Sequence, residues 1–182
     1  EYINLRWIAI TGQLITVNLV KFYFGFEFDY LLTIFIIFLS ILSNFFLIFF
    51  YKKNQITDRS SFIFLCFDIL QLGLLVFLTG GIVNPFSIFI IVPSIFSSIY
   101  LAKKTSILLV FVTVILIIFL TFINKPLPYP INNHFHVSDY YYYAIPTSLI
   151  IVLLFLSYFS ISFGTESRIR KEALNKMESI MA

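Results

Sequence analysis

The sequence predicts an all-α integral membrane fold of six transmembrane helices with both termini cytoplasmic. Hydrophobic residues make up 60% of the 182 and charged residues 12%, far from the mix of a soluble globule, so lipid is the solvent for most of the chain. Six apolar runs approach the ~20 residues that a helix needs to cross a ~30 Å hydrocarbon core. Lys and Arg cluster between alternate runs, which gives the runs a direction.

The runs are Leu5 to Phe24, Tyr30 to Tyr51, Ser61 to Thr79, Pro85 to Ala102, Thr105 to Ile123 and Tyr143 to Gly164. The fourth is the shortest and carries Pro93, which offers no N–H to the carbonyl of Phe89 and should bend the helix; a re-entrant segment is the alternative. With the amino end cytoplasmic, Arg6, Lys52, Lys53, Arg59, Lys103, Lys104, Arg168, Arg170, Lys171 and Lys176 fall inside, and Lys21 and Lys125 outside. Ten positions against two set the orientation. The net charge of +3 therefore reads as a topology signal and not as a nucleic-acid surface. Tyr140 to Tyr143 mark the outer interface, where amphipathic rings anchor a helix.

The composition changes after Gly164, so the chain divides into a six-helix domain, 1–164, and a polar segment, 165–182. In the latter Ile169, Ala173, Met177 and Ile180 recur at helical spacing, which resembles the start of a coiled-coil connector. The chain opens on Glu1 and stops inside this pattern, as a piece of a longer protein would, and no cleavable leader pattern is visible. Cys66 is the single cysteine; it gives no disulfide framework and, within an apolar run, reads as a small buried hydrophobe. His134 and His136, with Asp139 nearby, have the spacing of a metal site, but two imidazoles in a polar loop read as solvated side chains, and no metal is expected.

The most distinctive stretch joins the third and fourth runs: Leu78-Thr79-Gly80-Gly81-Ile82-Val83-Asn84-Pro85-Phe86. As structure, the glycines end one helix in a left-handed conformation, Asn84 caps the next and Pro85 suits its first turn. As a site, a helix start offers N–H groups to a carbonyl oxygen and Phe86 offers a ring face.

A glycine pair, two variable residues and Asn-Pro-Phe at the outer end of a third membrane helix resembles the signature of the RegB/PrrB/ActS redox-responsive sensor histidine kinases. Leu5-Arg6-Trp7-Ile8-Ala9-Ile10-Thr11-Gly12-Gln13 is similar to that family's opening segment, Asp68-Ile69-Leu70-Gln71-Leu72 to its third helix and Pro93 to its fourth; the likeness runs from Leu5 to Met177. The resemblance implies a sensor of the quinone pool in the bacterial inner membrane, with ubiquinone or a related quinone at Gly80, Gly81, Asn84, Pro85 and Phe86. It further implies a homodimer through the carboxy-terminal helix, and an ATP-dependent protein-histidine kinase core that signals to a response regulator. The phosphoacceptor His, the ATP site and the family's redox-active Cys would all follow Ala182, and Cys66 does not match that Cys. No catalytic residue is expected within this chain.

Polar residues inside apolar runs are costly when unpaired. Gln13, Asn44 and Asp68 lie eight, seven and seven residues from the expected inner edges at Leu5, Tyr51 and Ser61. These depths agree within a few ångströms, which predicts a polar layer joining the first three helices, with Gln71 one turn further out on the face of Asp68. With no Lys or Arg expected at its depth, Asp68 should carry a proton and donate to Gln13 or Asn44. It precedes Gly80 by ~18 Å of helix, too deep to touch a head group at the glycine motif. A small transporter or membrane-embedded enzyme using Asp68 and Gln71 is the alternative, against which no pair of broken helices in matching halves and no nucleophile with a base is visible.

Overall fold

A computed structural model describes residues 2–50, 58–123, 125 and 138–181. The loop holding His134 and His136 lies outside these residues, as does the connection holding Lys52 and Lys53.

The first helix, α1 (Tyr2–Asn18), runs on through a π-helical turn, Leu19–Tyr23. The wider turn forms where Asn18 ties its side chain down: Nδ2 donates to Leu14 O at 2.7 Å and Oδ1 accepts from Tyr30 Oη at 2.9 Å. Gly25 then takes φ +68° and reverses the chain. Asp29 caps α2 (Tyr30–Phe50), its Oδ1 accepting from Leu32 N at 3.3 Å. From α2 the residues Thr33, Ile36, Ile37, Ser40, Asn44 and Leu47 turn inward at helical spacing, whereas Phe35, Phe38, Phe45 and Phe49 stand exposed. An apolar outer face of this kind is a face for lipid.

The third helix, α3 (Asp58–Leu78), is the central one, burying Leu65, Ile69, Gln71, Gly73, Leu75 and Val76 on several sides. It begins one turn earlier than the apolar run because Asp58 is anchored: Oδ1 accepts from Ala102 N at 2.8 Å and Oδ2 from Thr105 Oγ1 at 2.7 Å. Those bonds join the start of α3 to the start of α5 (Lys103–Phe122). At the opposite end Lys125 N donates to Phe77 O. The two helices therefore run parallel, and the molecule has a proximal end, where α1 begins, and a distal end, where α1 finishes.

Between them the chain descends through 3-10 turns, Gly81–Val83 and Pro85–Ile91, into α4 (Val92–Tyr100). A 3-10 helix rises ~2.0 Å per residue against ~1.5 Å in an α-helix, so Pro85 to Tyr100 extends ~27 Å, near the thickness of the hydrocarbon core. The expected bend at Pro93 takes this form. Pro93 sits in the first turn of α4, where no N–H is needed, and the carbonyl of Phe89 accepts from Val92 N instead.

The sixth helix, α6 (Asp139–Met181), has 43 residues, ~65 Å, and passes without a break through the expected boundary at Gly164. Tyr140, Tyr141 and Tyr143 are exposed at its distal start, while Tyr142 turns inward and donates from Oη to Thr121 O. Three apolar clusters hold the bundle: Ile10, Ile36, Ile37 and Leu75 between α1, α2 and α3; Leu65, Ile69, Ile90 and Leu109 between α3, the second 3-10 segment and α5; and Ile82, Ile91, Ile117 and Leu153 between the 3-10 segments, α5 and α6.

Candidate functional site

The distal hairpin is a closed piece of hydrogen bonding. Gly80 and Gly81 take φ of +114° and +61°, which side chains disfavour. Asn84, buried, donates from Nδ2 to Thr79 O at 3.1 Å and to Thr79 Oγ1 at 2.6 Å, and its Oδ1 accepts from Phe86 N at 2.8 Å. Thr79 Oγ1 in turn donates to Leu75 O at 2.7 Å, so the end of α3 and the start of the descending segment are one unit. Asn84 thus acts as the cap. Pro85 opens the turn, and Phe86, 40% exposed, stacks at 6.2 Å and 13° on Phe89. Behind these rings Ile82 is fully buried in a cluster with Leu149 and Leu153 of α6. The residues between the glycine pair and Asn84, variable in the motif as read from sequence, are those that reach the last helix.

A second polar assembly lies between α1, α2 and α3. Gln13 and Gln71 exchange amide bonds, Gln71 Nε2 to Gln13 Oε1 at 2.9 Å and Gln13 Nε2 to Gln71 Oε1 at 3.4 Å. Asp68 does not bond to Gln13 or Asn44. Its partner is Arg6, which donates from Nη2 to Oδ1 at 2.7 Å and from Nε to both oxygens at 3.1 Å, and Tyr2 Oη adds a bond to Oδ2. Arg6 also donates to Ser43 Oγ on α2 at 2.9 Å, and its guanidinium carbon lies 5.8 Å and 5.6 Å from the ring centroids of Tyr2 and Phe64. Asn44 donates to Ile3 O at 3.4 Å.

Two expectations are corrected here. Arg6 is 5% exposed; it is an intramembrane partner and not a free charge at the boundary. Gln13 faces Gln71 and not Asp68, one turn further along α3 than the counted depths place it; α1 and α3 each begin three residues before the expected edges at Leu5 and Ser61, so the offset lies in how the two helices pack and not in where they start. The missed signal was charge balance: Asp68 is an acid inside an apolar run, and Arg6 is a base already one residue inside another.

Among the described residues no group of three or more His, Cys, Asp or Glu side chains is placed to hold a metal ion. Cys66 is partly buried and unpaired by any disulfide. Along α6 beyond the bundle Ile169, Ala173 and Met177 are exposed on an otherwise charged helix, and Arg170 bonds to Glu166 at 2.6 Å.

Comparison with known proteins places this arrangement. A family model described as the PilS-like transmembrane domain matches residues 1–173. The chain belongs to that family. The match takes in all six passes of this PilS-like domain and continues along α6 past Gly164. The chain is also 29% identical over 173 residues to the sensor histidine kinase RegB of Cereibacter sphaeroides, which covers 94% of this chain and 37% of that protein. The chain thus spans little more than a third of the length of this relative. No solved structure matches. The PilS-like domain described here is a multi-pass, all-helical membrane protein.

Proposed function

We propose that this PilS-like domain is the sensory module of a bacterial inner-membrane histidine kinase, with ubiquinone or a related quinone as the sensed ligand at the Gly80–Phe86 hairpin and α6 as the output. The observation that carries this reading is the packing of Ile82. The hairpin presents the Phe86–Phe89 rings to the lipid in which a quinone dissolves, and Ile82, between the glycine pair and Asn84, packs on Leu149 and Leu153 of the helix that leaves the bundle. A ring docked on Phe86 displaces the hairpin, and the hairpin displaces α6.

Phe86 supplies stacking area in this reading, and Asn84, whose amide is taken by Thr79 and Phe86 N, fixes the turn. Oxidised and reduced quinones exchange acceptor for donor groups, so their affinities for two hairpin positions differ. A tenfold bias of a two-state module needs ~1.4 kcal/mol of that difference. The exposed Ile169, Ala173 and Met177 are the seam through which α6 pairs with its copy in a homodimer, ahead of an ATP-dependent kinase core that passes phosphate to a response regulator. The cytoplasmic placement of both ends rests on the nine basic positions other than Arg6. A transport path through Asp68 and Gln71 is disfavoured, because Arg6 and Gln13 already engage them.

Lipid-reconstituted domain treated with a photoactivatable ubiquinone should be labelled at the hairpin, and Phe86→Ala should reduce labelling several-fold. In the full-length kinase Ile82→Ala should keep the label while autophosphorylation stops responding to quinone. Labelling elsewhere, unaffected by Phe86→Ala, sinks the assignment.

A further inference from the structure

At the proximal end, away from the glycine motif, α5 and α6 enclose a groove of about 260 Å³. Lys103, the first residue of α5, and Ser162 form its outer end; Ile107 and Ser157 lie one turn inward; Val110 and Leu154 close it. From Lys103 to Val110 is ~10 Å of helix, so the groove begins at the membrane boundary and ends in hydrocarbon. Its polar groups are graded the same way. Among the described residues Lys103 makes no salt bridge and no carboxylate lines the groove. Ser162 spends its hydroxyl on Tyr158 O at 2.8 Å. Ser157, 4% exposed, has a buried Oγ with no hydrogen-bond partner. A serine hydroxyl normally folds back on its own helix, as Ser148 and Ser162 do in α6. Leaving one unbonded in the membrane costs ~1–3 kcal/mol, which an acceptor in the groove would recover.

We propose that this groove binds an anionic glycerophospholipid. The Lys103 ammonium meets the phosphate at the boundary, the Ser157 hydroxyl donates to an ester carbonyl of the glycerol below it, and an acyl chain follows Ile107, Val110 and Leu154. The order of groups along the groove, cation, hydroxyl, hydrocarbon, is the order phosphate, ester, chain of the lipid. A quinone ring fits it less well, since the groove offers a cation at its mouth and a single ring, Tyr158, with aliphatic side chains and no second ring on the α5 wall. Because the α6 wall of the groove continues unbroken to Met181, occupancy sets the spacing of α5 and α6 where the output helix leaves the bilayer.

Native mass spectrometry of the purified 182-residue chain should show phosphatidylglycerol retained in preference to phosphatidylethanolamine. Lys103→Gln removes a contact worth ~1 kcal/mol near an anionic surface and should lower phosphatidylglycerol retention about fivefold. Ser157→Ala should lower it about threefold, with the thermal midpoint in phosphatidylcholine alone unchanged. A phosphatidylglycerol carrying a diazirine in its acyl chain should label α5 and α6 near Ile107 and Leu154. Retention that neither variant changes, or a label on other helices, overturns the proposal. So does a label displaced by a ubiquinone analogue but not by excess phosphatidylglycerol, which assigns the groove to quinone.

Discussion

In α1, α2 and α3 the polar side chains inside the bundle bond to one another across helices, whereas in α4, α5 and α6 they bond mostly to backbone. Arg6 with Asp68 and Ser43, and Gln13 with Gln71, are contacts between residues far apart in sequence. In the second half Thr113 donates to Leu109 O, Thr121 to Ile117 O and Ser97 to Ser94 O within their own helices, while Ser160 and Tyr142 of α6 reach backbone carbonyls of α4 and α5, Ile95 O and Thr121 O. The difference follows from side-chain length. A hydroxyl on Cβ most often reaches a carbonyl of its own helix, and where it does it is satisfied wherever the helix goes. A guanidinium, carboxylate or amide on a longer stem finds its partner on a neighbour and fixes that neighbour's register. The first half is thereby pinned by pairs of long side chains, and α6 in the second half is held across helices by side-chain bonds to backbone, Ser160 to Ile95 O and Tyr142 to Thr121 O.

The sharpest way to break this comparison is to remove one charge from the pinned half. Asp68→Ala leaves Arg6 buried beside rings without its carboxylate, and a charge stranded in this way costs ~3–5 kcal/mol. Reversible unfolding in mixed micelles should show a loss of that size, with most of it recovered in Arg6→Met/Asp68→Leu, where neither charge remains. A double variant as unstable as Asp68→Ala would mean that the pair matters by packing and not by charge.

The seam between the halves comes next. Gly73 of α3 lies so close to α5 that a Cβ built there falls 2.7 Å from Leu116 Cδ2, the close approach that small residues permit between membrane helices. Gly73→Ala must move the end of the Leu116 side chain and should cost ~1–2 kcal/mol. Adding Leu116→Ala opens the space and should restore part of that stability, measured in the same micelles.

These residues also show how far the sequence could be read. Six crossings, the hairpin at Gly80 to Phe86 and the break at Pro93 were legible because apolar length, glycine and proline act locally. The Gln13–Gln71 pair was half legible: both residues stood out as polar in apolar runs, but which polar residue of α3 meets Gln13 depends on how α1 packs against α3, which counting from the run edges does not give. The early start of α3 was hidden as well, since it rests on Asp58 reaching Ala102 and Thr105, contacts 44 and 47 residues away. Arg6 was misread because a base near the end of a run looks the same whether it meets the boundary or an acid 62 residues on. The continuity of α6 through Gly164 was hidden by the composition change, which marks the edge of the lipid and not the end of a helix. The packing of Ile82 in one cluster with Leu149 and Leu153 of α6 left no signal in sequence.

A smaller effect sharpens the comparison within the pinned half. Gln13→Ala leaves the Gln71 amide without its reciprocal partner. A double-mutant cycle over Gln13→Ala and Gln71→Ala should give a coupling of ~1 kcal/mol, within the range measured for membrane hydrogen bonds. Coupling near zero would place these amides with the exchangeable contacts of the second half.

The smallest expected effect lies at Ser94 and Thr113, the side-chain pair joining α4 to α5. Their hydroxyls lie within hydrogen-bond distance, yet each also has a backbone carbonyl in reach, Thr113 Oγ1 to Leu109 O at 3.0 Å and Ser94 Oγ to Leu109 O at 3.5 Å. One carbonyl thus serves both groups, and losing either hydroxyl leaves the other satisfied. The cycle over Ser94→Ala and Thr113→Val should therefore yield a coupling of at most ~0.6 kcal/mol, the average for such bonds in a membrane and below that of the glutamines. A coupling above that of Gln13 and Gln71 would show that α4 and α5 are pinned as firmly as α1 and α3.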